Sequence, residues 1–385
     1  MPELHVPFAA PDITDREIQA AIASMRSGWL TTGPEARAFE AEFASFLGDD
    51  LHAIAVNSAT AGLHLAVEAL GLGPGDEVLV PTWTFTATAE VVRYVGATPV
   101  LVDIDPVDLN IDLQAAEAAI TERTRAMIPV HFAGRPLSRT RLADFASRHG
   151  LAVIEDAAHA FPVYSESRLV GSGASEAVVF SFYASKTITT GEGGMLVTPS
   201  DRLAERARIM RLHGISRDAF DRYRSTVPAW RYEVVAPGFK YNMTDTAASI
   251  GRVQLARAEE MRLARERIAD RYTSEFGSLP LELPAASPEE RGHSWHLYVI
   301  RLHEEAGVSR DDFIQRMSDQ GIGTSVHFIP LHMHPYWRES LGVAPGDFPT
   351  ASTIFERVVS IPIFSAMSAS DIDRVVTGVR RALGG

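Results

Sequence analysis

The sequence predicts an α/β protein in which a mostly parallel central sheet is flanked by helices and followed by a smaller α+β domain. Strand-like apolar runs alternate with helix-like segments through roughly the first 245 residues, the order typical of a parallel sheet. At 385 residues and 42.0 kDa, the chain exceeds the usual size of a single hydrophobic core. We therefore expect two domains, residues 1–245 and 246–385.

The first strand–turn–helix unit begins at Leu51. Residues Leu51–Val56 have the composition of a buried strand, and apolar residues then recur at helical spacing from Leu63 until Gly71 ends the helix. Five further runs are strand candidates: Glu77–Val80, Pro99–Val102, Ala126–Val130, Leu151–Glu155 and Ala177–Phe182. Because ligands of open α/β sheets bind at the carboxyl ends of the strands, we expect the functional site there.

The sequence changes character near Asp245. Residues Asp245–Phe276 are rich in alanine, leucine, arginine and glutamate and contain no proline, so we expect one long helix that connects the domains. A strand-like Ser294–Leu302, a helical Arg310–Gln320 and a final helix from about Ser370 then predict the smaller α+β domain.

Composition and charge exclude several classes of protein. A net charge of −13 and a pI near 5.5 argue against nonspecific nucleic-acid binding, which requires lysine and arginine to neutralise phosphates. The absence of cysteine excludes disulfides, thiolate zinc sites and cysteine nucleophiles. The sequence has neither a basic and apolar leader nor an apolar run as long as a membrane span. We expect a cytoplasmic protein that binds neither nucleic acid nor membrane.

A lysine and an aspartate carry the strongest chemical signal. Lys186 lies on a polar, glycine-bounded turn within Phe180–Gly194, between two buried-looking segments that should lower its pKa and allow it to form a Schiff base. Asp156 ends an apolar run thirty residues earlier, where its carboxylate can keep the ring nitrogen of pyridoxal phosphate protonated. Taken singly, Lys186 could be a solvated surface lysine and Asp156 a helix-capping aspartate. Together they predict an aminotransferase.

Other residues near these motifs have two interpretations each. The Ala59–Thr60 turn opens a helix whose free N–H groups can receive a phosphate, although simple helix capping is the alternative. Phe85 follows a strand and either stacks on a flat ring or belongs to the core. His159 either orients Asp156, contacts the cofactor or is a core histidine.

In combination, these motifs resemble the DegT/StrS family of nucleotide-sugar aminotransferases, fold-type I enzymes that use pyridoxal phosphate. The resemblance covers nearly the whole chain and rests on seven motifs in the family's order: Gly28–Pro34, Asn57–His64, Pro129–Gly134, Glu155–His159, the Lys186 segment, Gly238–Asp245 and Trp295–Tyr298. Members often carry glutamine at the position of His159. This departure is similar to the sugar C4 aminotransferases, particularly the type that makes UDP-linked 4-amino-4-deoxy-arabinose.

The resemblance implies a role for each candidate residue. Lys186 would bind the coenzyme covalently, Asp156 would face its ring nitrogen, and Phe85 would stack on its ring. The phosphate would lie between the Ala59–Thr60 turn and Ser181. His159 would also contact the cofactor, and Asn242 would contact it from the second subunit. The substrate would be bound by Thr31, Arg231 and His327.

The implied reaction moves an amino group from an amino acid, glutamate by family habit, to a keto sugar carried on a nucleotide diphosphate. The sugar's C4 is the expected position, and the homodimer with shared active sites is the expected catalytic unit. The alternatives are a 3-keto sugar or cyclitol acceptor, a PLP-dependent sugar dehydratase and a noncatalytic PLP binder. Retention of Lys186 argues against the dehydratase, an activity that accompanies replacement of this lysine by histidine in the family.

Two further polar clusters bear on substrate and metal. Residues 202–231 contain eight arginines and three acids, so a local excess of positive charge is available for the diphosphate. We expect the arginines up to Arg211 to form the solvated face of a helix. Some of the four later arginines should bind the diphosphate: Arg217, Arg222, Arg224 and Arg231.

The three histidines of His327–His334 lack a neighbouring acid at metal-ligand spacing, so we expect no metal site.

Overall fold

A mixed β-sheet forms the centre of the protein, which we describe from a computed structural model covering residues 5–48, 50–173, 175–216, 232–287 and 289–384. The strands in these ranges are β1 (His52–Val56), β2 (Glu77–Pro81), β3 (Thr98–Val102), β4 (Thr124–Met127), β5 (Ala152–Asp156), β6 (Tyr164–Ser165), β7 (Arg168–Leu169), β8 (Ala177–Ser181), β9 (Gly194–Thr198), β10 (Leu281–Glu282), β11 (Tyr298–Leu302) and β12 (Val358–Ile361).

Seven strands make the central sheet in the order β1-β9-β8-β5-β4-β2-β3. The pairs β8–β5, β5–β4, β4–β2 and β2–β3 are parallel, and only β9 runs antiparallel to both of its neighbours. The predicted mostly parallel sheet is therefore confirmed. Sequence analysis missed β9, because Gly194–Thr198 follows the lysine turn too closely for a helical crossover and so reads as part of that turn.

Helices flank the sheet on both faces. They are α1 (Asp15–Arg26), α2 (Pro34–Leu47), α3 (Ala59–Ala69), α4 (Ala87–Tyr94), α5 (Leu113–Ala118), α6 (Arg139–His149), α7 (Asp201–Met210), α8 (Asp245–Ala256), α9 (Ala258–Phe276), α10 (Arg310–Asp319), α11 (Pro335–Leu341), α12 (Pro349–Phe355) and α13 (Ala369–Ala382). Along β8, Ala177 and Val179 pack into one apolar cluster while Val178 and Phe180 pack into another. Alternate side chains of the strand therefore enter cores on opposite faces.

A separate three-stranded antiparallel sheet, in the order β10-β11-β12, lies in the C-terminal part of the chain. Tyr298 and Ile300 of β11 pack with Tyr272 of α9 and Val375 of α13 in their own apolar cluster. Val299, on the other face of β11, joins the core of the large sheet. The α+β character of this part agrees with expectation, and the domain boundary at residue 245 stays a prediction. No helix among the described residues is long and apolar enough to span a membrane.

The single helix predicted over Asp245–Phe276 is wrong, because two helices meet at Arg257. The backbone of Arg257 leaves helical geometry, with φ −105° and ψ 0°. Its buried guanidinium donates hydrogen bonds to Asp12 and Glu17, which lie more than two hundred residues earlier in the chain. The composition of the segment favours helix throughout, so only these long-range contacts mark the break.

Candidate active site

The carboxyl ends of β1, β5 and β8 meet at one edge of the sheet, where they border a cavity of about 470 Å³. Most of the predicted site residues line this cavity: Ala59, Thr60, Phe85, Asp156, His159, Ser181, Lys186 and His327. The position is the one expected for a ligand of an open α/β sheet. The residues that sequence analysis grouped from separate motifs therefore share one site.

Lys186 lies on a turn after β8 and reaches into the cavity. Its backbone N–H donates to the carbonyl oxygen of Tyr183 at 2.9 Å, which closes the turn. Its side-chain Nζ lies 3.4 Å from Nε2 of His296. Burial lowers the pKa of the Lys186 amine to about 8; the Asp156 carboxylate opposes this effect and the Arg265 guanidinium adds to it. The neutral, nucleophilic fraction of this amine near physiological pH is therefore much larger than that of an ordinary lysine.

Asp156, the last residue of β5, is buried at the side of the cavity. Its Oδ2 accepts a hydrogen bond from the Thr88 hydroxyl at 2.9 Å, and its Oδ1 accepts one from the backbone N–H of Ala158 at 3.1 Å. Burial raises the pKa of this carboxyl despite the two bonds. A cation in the cavity would stabilise the ionised form, so the site suits a protonated ring nitrogen.

The opposite side of the cavity offers hydrogen-bond donors to an anion. The Ser58 hydroxyl caps α3 by accepting from the Ala61 N–H at 3.1 Å. Among the described residues, no hydrogen bond uses the N–H groups of Ala59 and Thr60, which open the helix and line the cavity. The hydroxyl of Ser181, at the end of β8, lies on the same wall. Free N–H groups and hydroxyls at a helix N-terminus fit a phosphate.

Glycine makes this cradle possible. Gly194 begins β9 and pairs with both Val56 and Ser181, the last residues of the neighbouring strands. A Cβ added at Gly194 would lie 2.8 Å from the backbone nitrogen of Ala59, a distance that real Cβ atoms essentially never show. The N-terminus of α3 can therefore approach the sheet only because residue 194 has no side chain.

Aromatic rings border the remaining side of the cavity. Phe85 is 60% exposed, so its face is free for a flat ring, and its centroid lies 6.1 Å from that of Phe328. His159 is buried, and its Nδ1 accepts a hydrogen bond from the Ala133 N–H at 3.3 Å. Burial lowers the pKa of His159 well below its ordinary value, and Lys186 and His327 lower it further. The hydrogen bond to Ala133 and the lowered pKa indicate that His159 is neutral and faces the cavity. They do not favour the alternative in which His159 orients Asp156.

Two predicted site residues, Thr31 and Asn242, do not line the cavity of their own chain, and a third lies outside the described residues. Thr31 is exposed, and its carbonyl oxygen accepts from the Asp245 N–H at 3.3 Å. Asn242 does not line the cavity of its own chain; its amide donates to the Thr32 hydroxyl at 2.6 Å. Arg231 lies outside the described residues, as do the other three arginines expected at the diphosphate: Arg217, Arg222 and Arg224.

The expectation that Arg202–Arg211 form a solvated helix face needs one correction. Arg211 is buried, where its guanidinium donates to the Glu40 carboxylate and to the Ala55 carbonyl oxygen. Its position immediately after α7 turns it toward β1 rather than solvent. The sequence does not show this, because the partner carboxylate belongs to α2.

The three C-terminal histidines do not converge. Nδ1 of His327 lies 3.0 Å from the Ser360 hydroxyl. Both ring nitrogens of His332 are engaged by hydroxyls, with Thr82 at 2.7 Å and Ser352 at 3.0 Å. The described part of the chain contains no group of three or more histidines or acids placed to hold a metal ion.

Sequence analysis missed two functional residues. His296 lines the cavity and contacts Lys186, yet it entered only as one letter of the Trp295–Tyr298 motif. Thr88 bonds the carboxylate of Asp156 from the first turn of α4. Thr88 stands three residues after Phe85, in a segment that contains several other threonines. Its spacing therefore did not distinguish it from those threonines.

A lysine, a buried aspartate and the free N–H groups of a helix N-terminus share the carboxyl edge of the sheet, and this fold and site are those of the fold-type I class of pyridoxal-phosphate enzymes. Residues 11–380 match the DegT/DnrJ/EryC1/StrS aminotransferase family, and the chain belongs to this family. The predicted family, fold class and cofactor are confirmed.

Individual relatives match over nearly their whole length. The spore coat polysaccharide biosynthesis protein SpsC of Bacillus subtilis is 45% identical over 377 residues, 97% of this chain and 96% of SpsC. The putative sugar aminotransferase Spr1654 of Streptococcus pneumoniae, in its PMP form, has a TM-score of 0.90 at 33% identity, covering 98% of this chain and 99% of Spr1654. Its PLP form has also been solved. DesV of S. venezuelae, solved with a ketimine intermediate, has a TM-score of 0.86 at 33% identity, covering 96% and 95% of the two chains.

Proposed function

We propose that this aminotransferase moves an amino group from L-glutamate to the C4 carbon of a keto sugar carried on a nucleotide diphosphate. The observation that carries the proposal is the joint placement of Lys186 and Asp156 in one cavity, opposite free N–H donors at the start of α3. The likeness to SpsC, a polysaccharide biosynthesis protein, and to the sugar aminotransferase Spr1654 supports a sugar acceptor.

Each side chain has a defined task in this reaction. Pyridoxal phosphate supplies an aldehyde that receives the amino group and a ring that takes up electrons. Lys186, neutral in a large fraction near pH 8, removes a proton from the donor's α-carbon and later returns a proton to the acceptor carbon. Asp156 would keep the ring nitrogen of the bound coenzyme protonated, and the Thr88 hydroxyl and the Ala158 N–H hold the Asp156 carboxylate in place.

The choice of C4 rests on His159. Its ring lies in the cavity, 4.4 Å from that of His296 and 5.8 Å from that of Phe328. A flat, neutral imidazole at this place distinguishes the chain from family members with a flexible glutamine amide. An acceptor with a 3-keto group or a cyclitol is the alternative, and Lys186 is the residue that makes a transaminase more plausible than a dehydratase.

The first test traps the lysine. The sequence contains two lysines, Lys186 and the exposed Lys240, so the second is an internal control. Borohydride reduction of the holoenzyme followed by peptide mapping should place the coenzyme on Lys186 alone, and Lys186→Ala should carry none. Label on Lys240, or no label despite saturating coenzyme, overturns the proposal.

The second test identifies the acceptor. Glutamate alone should abolish the visible absorbance of the bound coenzyme, and the correct keto sugar should restore it. A panel of UDP-, TDP- and GDP-linked 4-keto and 3-keto sugars, with a keto cyclitol, is then scored by product mass against Lys186→Ala as the blank. Success with a 3-keto compound and failure of every 4-keto compound contradicts the C4 assignment.

A further inference from the structure

His296 occupies a place in the cavity to which no role has been assigned. It is buried just before β11, and its Nε2 lies 3.4 Å from Nζ of Lys186. Its ring centroid is 4.4 Å from that of His159. Among the described residues, the His296 imidazole lies within hydrogen-bond reach of the amine that must act as nucleophile, whereas Asp156 acts on this amine through its charge.

The other ring nitrogen of His296 is buried and has no hydrogen-bond partner among the described residues. A neutral imidazole carries one N–H, on either nitrogen. If the proton is on Nε2, it donates to the lone pair of a neutral Lys186 amine and leaves Nδ1 as an unused acceptor. If the amine is protonated, it donates to Nε2, so the imidazole proton must move to Nδ1 and becomes a buried, unpaired donor. Buried N–H groups without partners are rare because they are costly, so the free Nδ1 favours the pair with the neutral amine.

The backbone of His296 is held from a second element. Arg265 of α9 is buried, and its guanidinium donates to the carbonyl oxygens of Trp295, His296 and Ile363 at 3.2, 3.4 and 2.8 Å. These bonds connect the segment before β11 to the chain that follows β12. The imidazole therefore approaches Lys186 from a rigid support.

The charged groups around the pair keep His296 neutral. Burial lowers the pKa of His296 well below its ordinary value, and the nearby Lys186, His159, Arg265 and His327 lower it further. The Asp156 carboxylate acts on Lys186 from the β5 side of the cavity. Near pH 8, Lys186 is therefore the member of this histidine–lysine cluster that gains or loses a proton. His296 stays neutral and responds by changing tautomer.

We propose that His296 is the positioning residue of Lys186, which holds the free amine by exchanging the hydrogen-bond roles of its Nε2 as the amine gains or loses a proton. The proposal rests on the proposed function, since it assigns Lys186 as the nucleophile. It concerns the protein's own residues and can be tested without turnover.

The direct test uses cofactor-free protein labelled with ¹⁵N on lysine and histidine. The Lys186 amine should titrate near pH 8, and the ring nitrogens of His296 should change from the Nε2–H to the Nδ1–H pattern with the same midpoint as the pH falls. In Lys186→Ala the His296 signals should show no inflection there. Signals of His296 that ignore the Lys186 midpoint, or that show a doubly protonated ring, overturn the proposal.

A kinetic test separates hydrogen bonding from packing. In cofactor uptake the Lys186 nitrogen bonds to the aldehyde carbon and the aldehyde oxygen leaves as water. His296→Phe keeps a ring without nitrogen, so the amine is neither placed before the attack nor bonded through its N–H as charge develops on it, and uptake should slow about five- to tenfold, the effect of one lost hydrogen bond. His296→Gln places an amide where Nε2 stood and should stay within about threefold of wild type, whereas His296→Asn reaches only the Nδ1 position and should behave like His296→Phe.

The outcomes distinguish this proposal from the proposed function. If wild-type protein fails to take up coenzyme at Lys186, the proposed function fails. If wild type takes it up and the three His296 variants do so at equal rates, only the role of His296 is wrong. Equal losses in the phenylalanine and glutamine variants indicate packing alone and also overturn it.

Discussion

If Lys186 binds the coenzyme as we propose, its environment sets the pH at which the protein takes up the coenzyme. Burial lowers the pKa of the amine to about 8, and the Asp156 carboxylate limits the effect because its negative charge stabilises the ammonium form. Only the neutral amine attacks an aldehyde. We predict that coenzyme uptake by cofactor-free protein accelerates as the pH rises, with a midpoint near 8, and that Asp156→Asn moves this midpoint to lower pH.

Stopped-flow absorbance across the pH range measures both midpoints. Lys186→Ala supplies the background, because Lys240 is exposed and does not line the cavity. A wild-type midpoint near the ordinary lysine value of 10.5, or an Asp156→Asn midpoint at the wild-type value, contradicts the prediction.

The role of a single residue can be predicted from the sequence when its neighbours along the chain indicate its environment. Lys186 and Asp156 each follow an apolar strand, so burial and a cavity position could be inferred locally. His296 and Thr88 matter because strands from distant parts of the chain bring them to those two residues. No spacing within the sequence records such a contact.

The junction of β9 with α3 holds the N–H groups that we propose bind the coenzyme phosphate. A methyl group at residue 194 would meet the Ala59 nitrogen at 2.8 Å and the Phe180 carbonyl oxygen at 2.9 Å, so α3 would have to move away from the sheet. A hydrogen bond to a charged group contributes about 1.5–3 kcal/mol, and we therefore predict that Gly194→Ala weakens coenzyme binding at least about tenfold. Titration of cofactor-free protein followed by absorbance measures the dissociation constant.

Gly73→Ala is the matched control for this prediction. A Cβ at Gly73 meets no heavy atom nearer than the Val95 carbonyl oxygen at 3.9 Å, so the backbone need not move. Its dissociation constant should equal that of the wild type. Equal affinity in Gly194→Ala would mean that the N–H groups of α3 do not hold the phosphate.

The break between α8 and α9 depends on an ion pair with α1. Glu17 is buried and accepts hydrogen bonds from Arg257, Gln254 and Thr14, and these bonds outweigh burial to lower the pKa of Glu17 to about 2. Removing one partner of a buried ion pair costs about 3 kcal/mol or more. We predict that Glu17→Gln lowers the free energy of unfolding by about 3 kcal/mol at pH 7, measured by urea denaturation.

The sign of the pH dependence follows from the two pKa values. Because the pKa of Glu17 is lower in the folded protein than its ordinary value of 4.5, the stabilisation is complete above pH 4.5 and is lost as the pH falls toward 2. The difference between wild type and Glu17→Gln should shrink over that range. Glu117→Gln, which breaks an exposed pair with Arg148, should cost less than about 1 kcal/mol. An equal cost in both variants would contradict the role of burial.

Composition and periodicity could predict the elements but not the places where they are interrupted. The parallel strands are apolar runs of ordinary length, so β1, β2, β3, β5 and β8 were found to within about one residue at each end, whereas β4 was predicted as Ala126–Val130 and lies at Thr124–Met127. The break at Arg257 and the strand β9 depend on what packs against them. The local sequence around Arg257 favours a continuous helix, whereas the apolar residues of Gly194–Thr198 favour a strand that was missed because it directly follows the lysine turn.

For the whole molecule, the position of Asn242 bears on assembly. Its amide donates to Thr32 within the same chain and does not line that chain's cavity. The apolar side chains of Leu30, Val234 and Val235 are 55%, 64% and 52% exposed in the single chain. Exposed apolar side chains are typical of subunit interfaces, and these three support the homodimer as a proposal.

Mixed dimers test whether Asn242 acts on the partner's site. In a dimer of one Lys186→Ala subunit and one Asn242→Asp subunit, shared sites would combine both defects in one cavity and leave the other intact. We predict about half of wild-type activity in the mixed dimer, purified through two different tags, although each homodimer is impaired. If Asn242 served its own chain's cavity, neither site of the mixed dimer would be intact. Activity would then stay at the level of the impaired homodimers, since every cavity would lack either its amine or its amide.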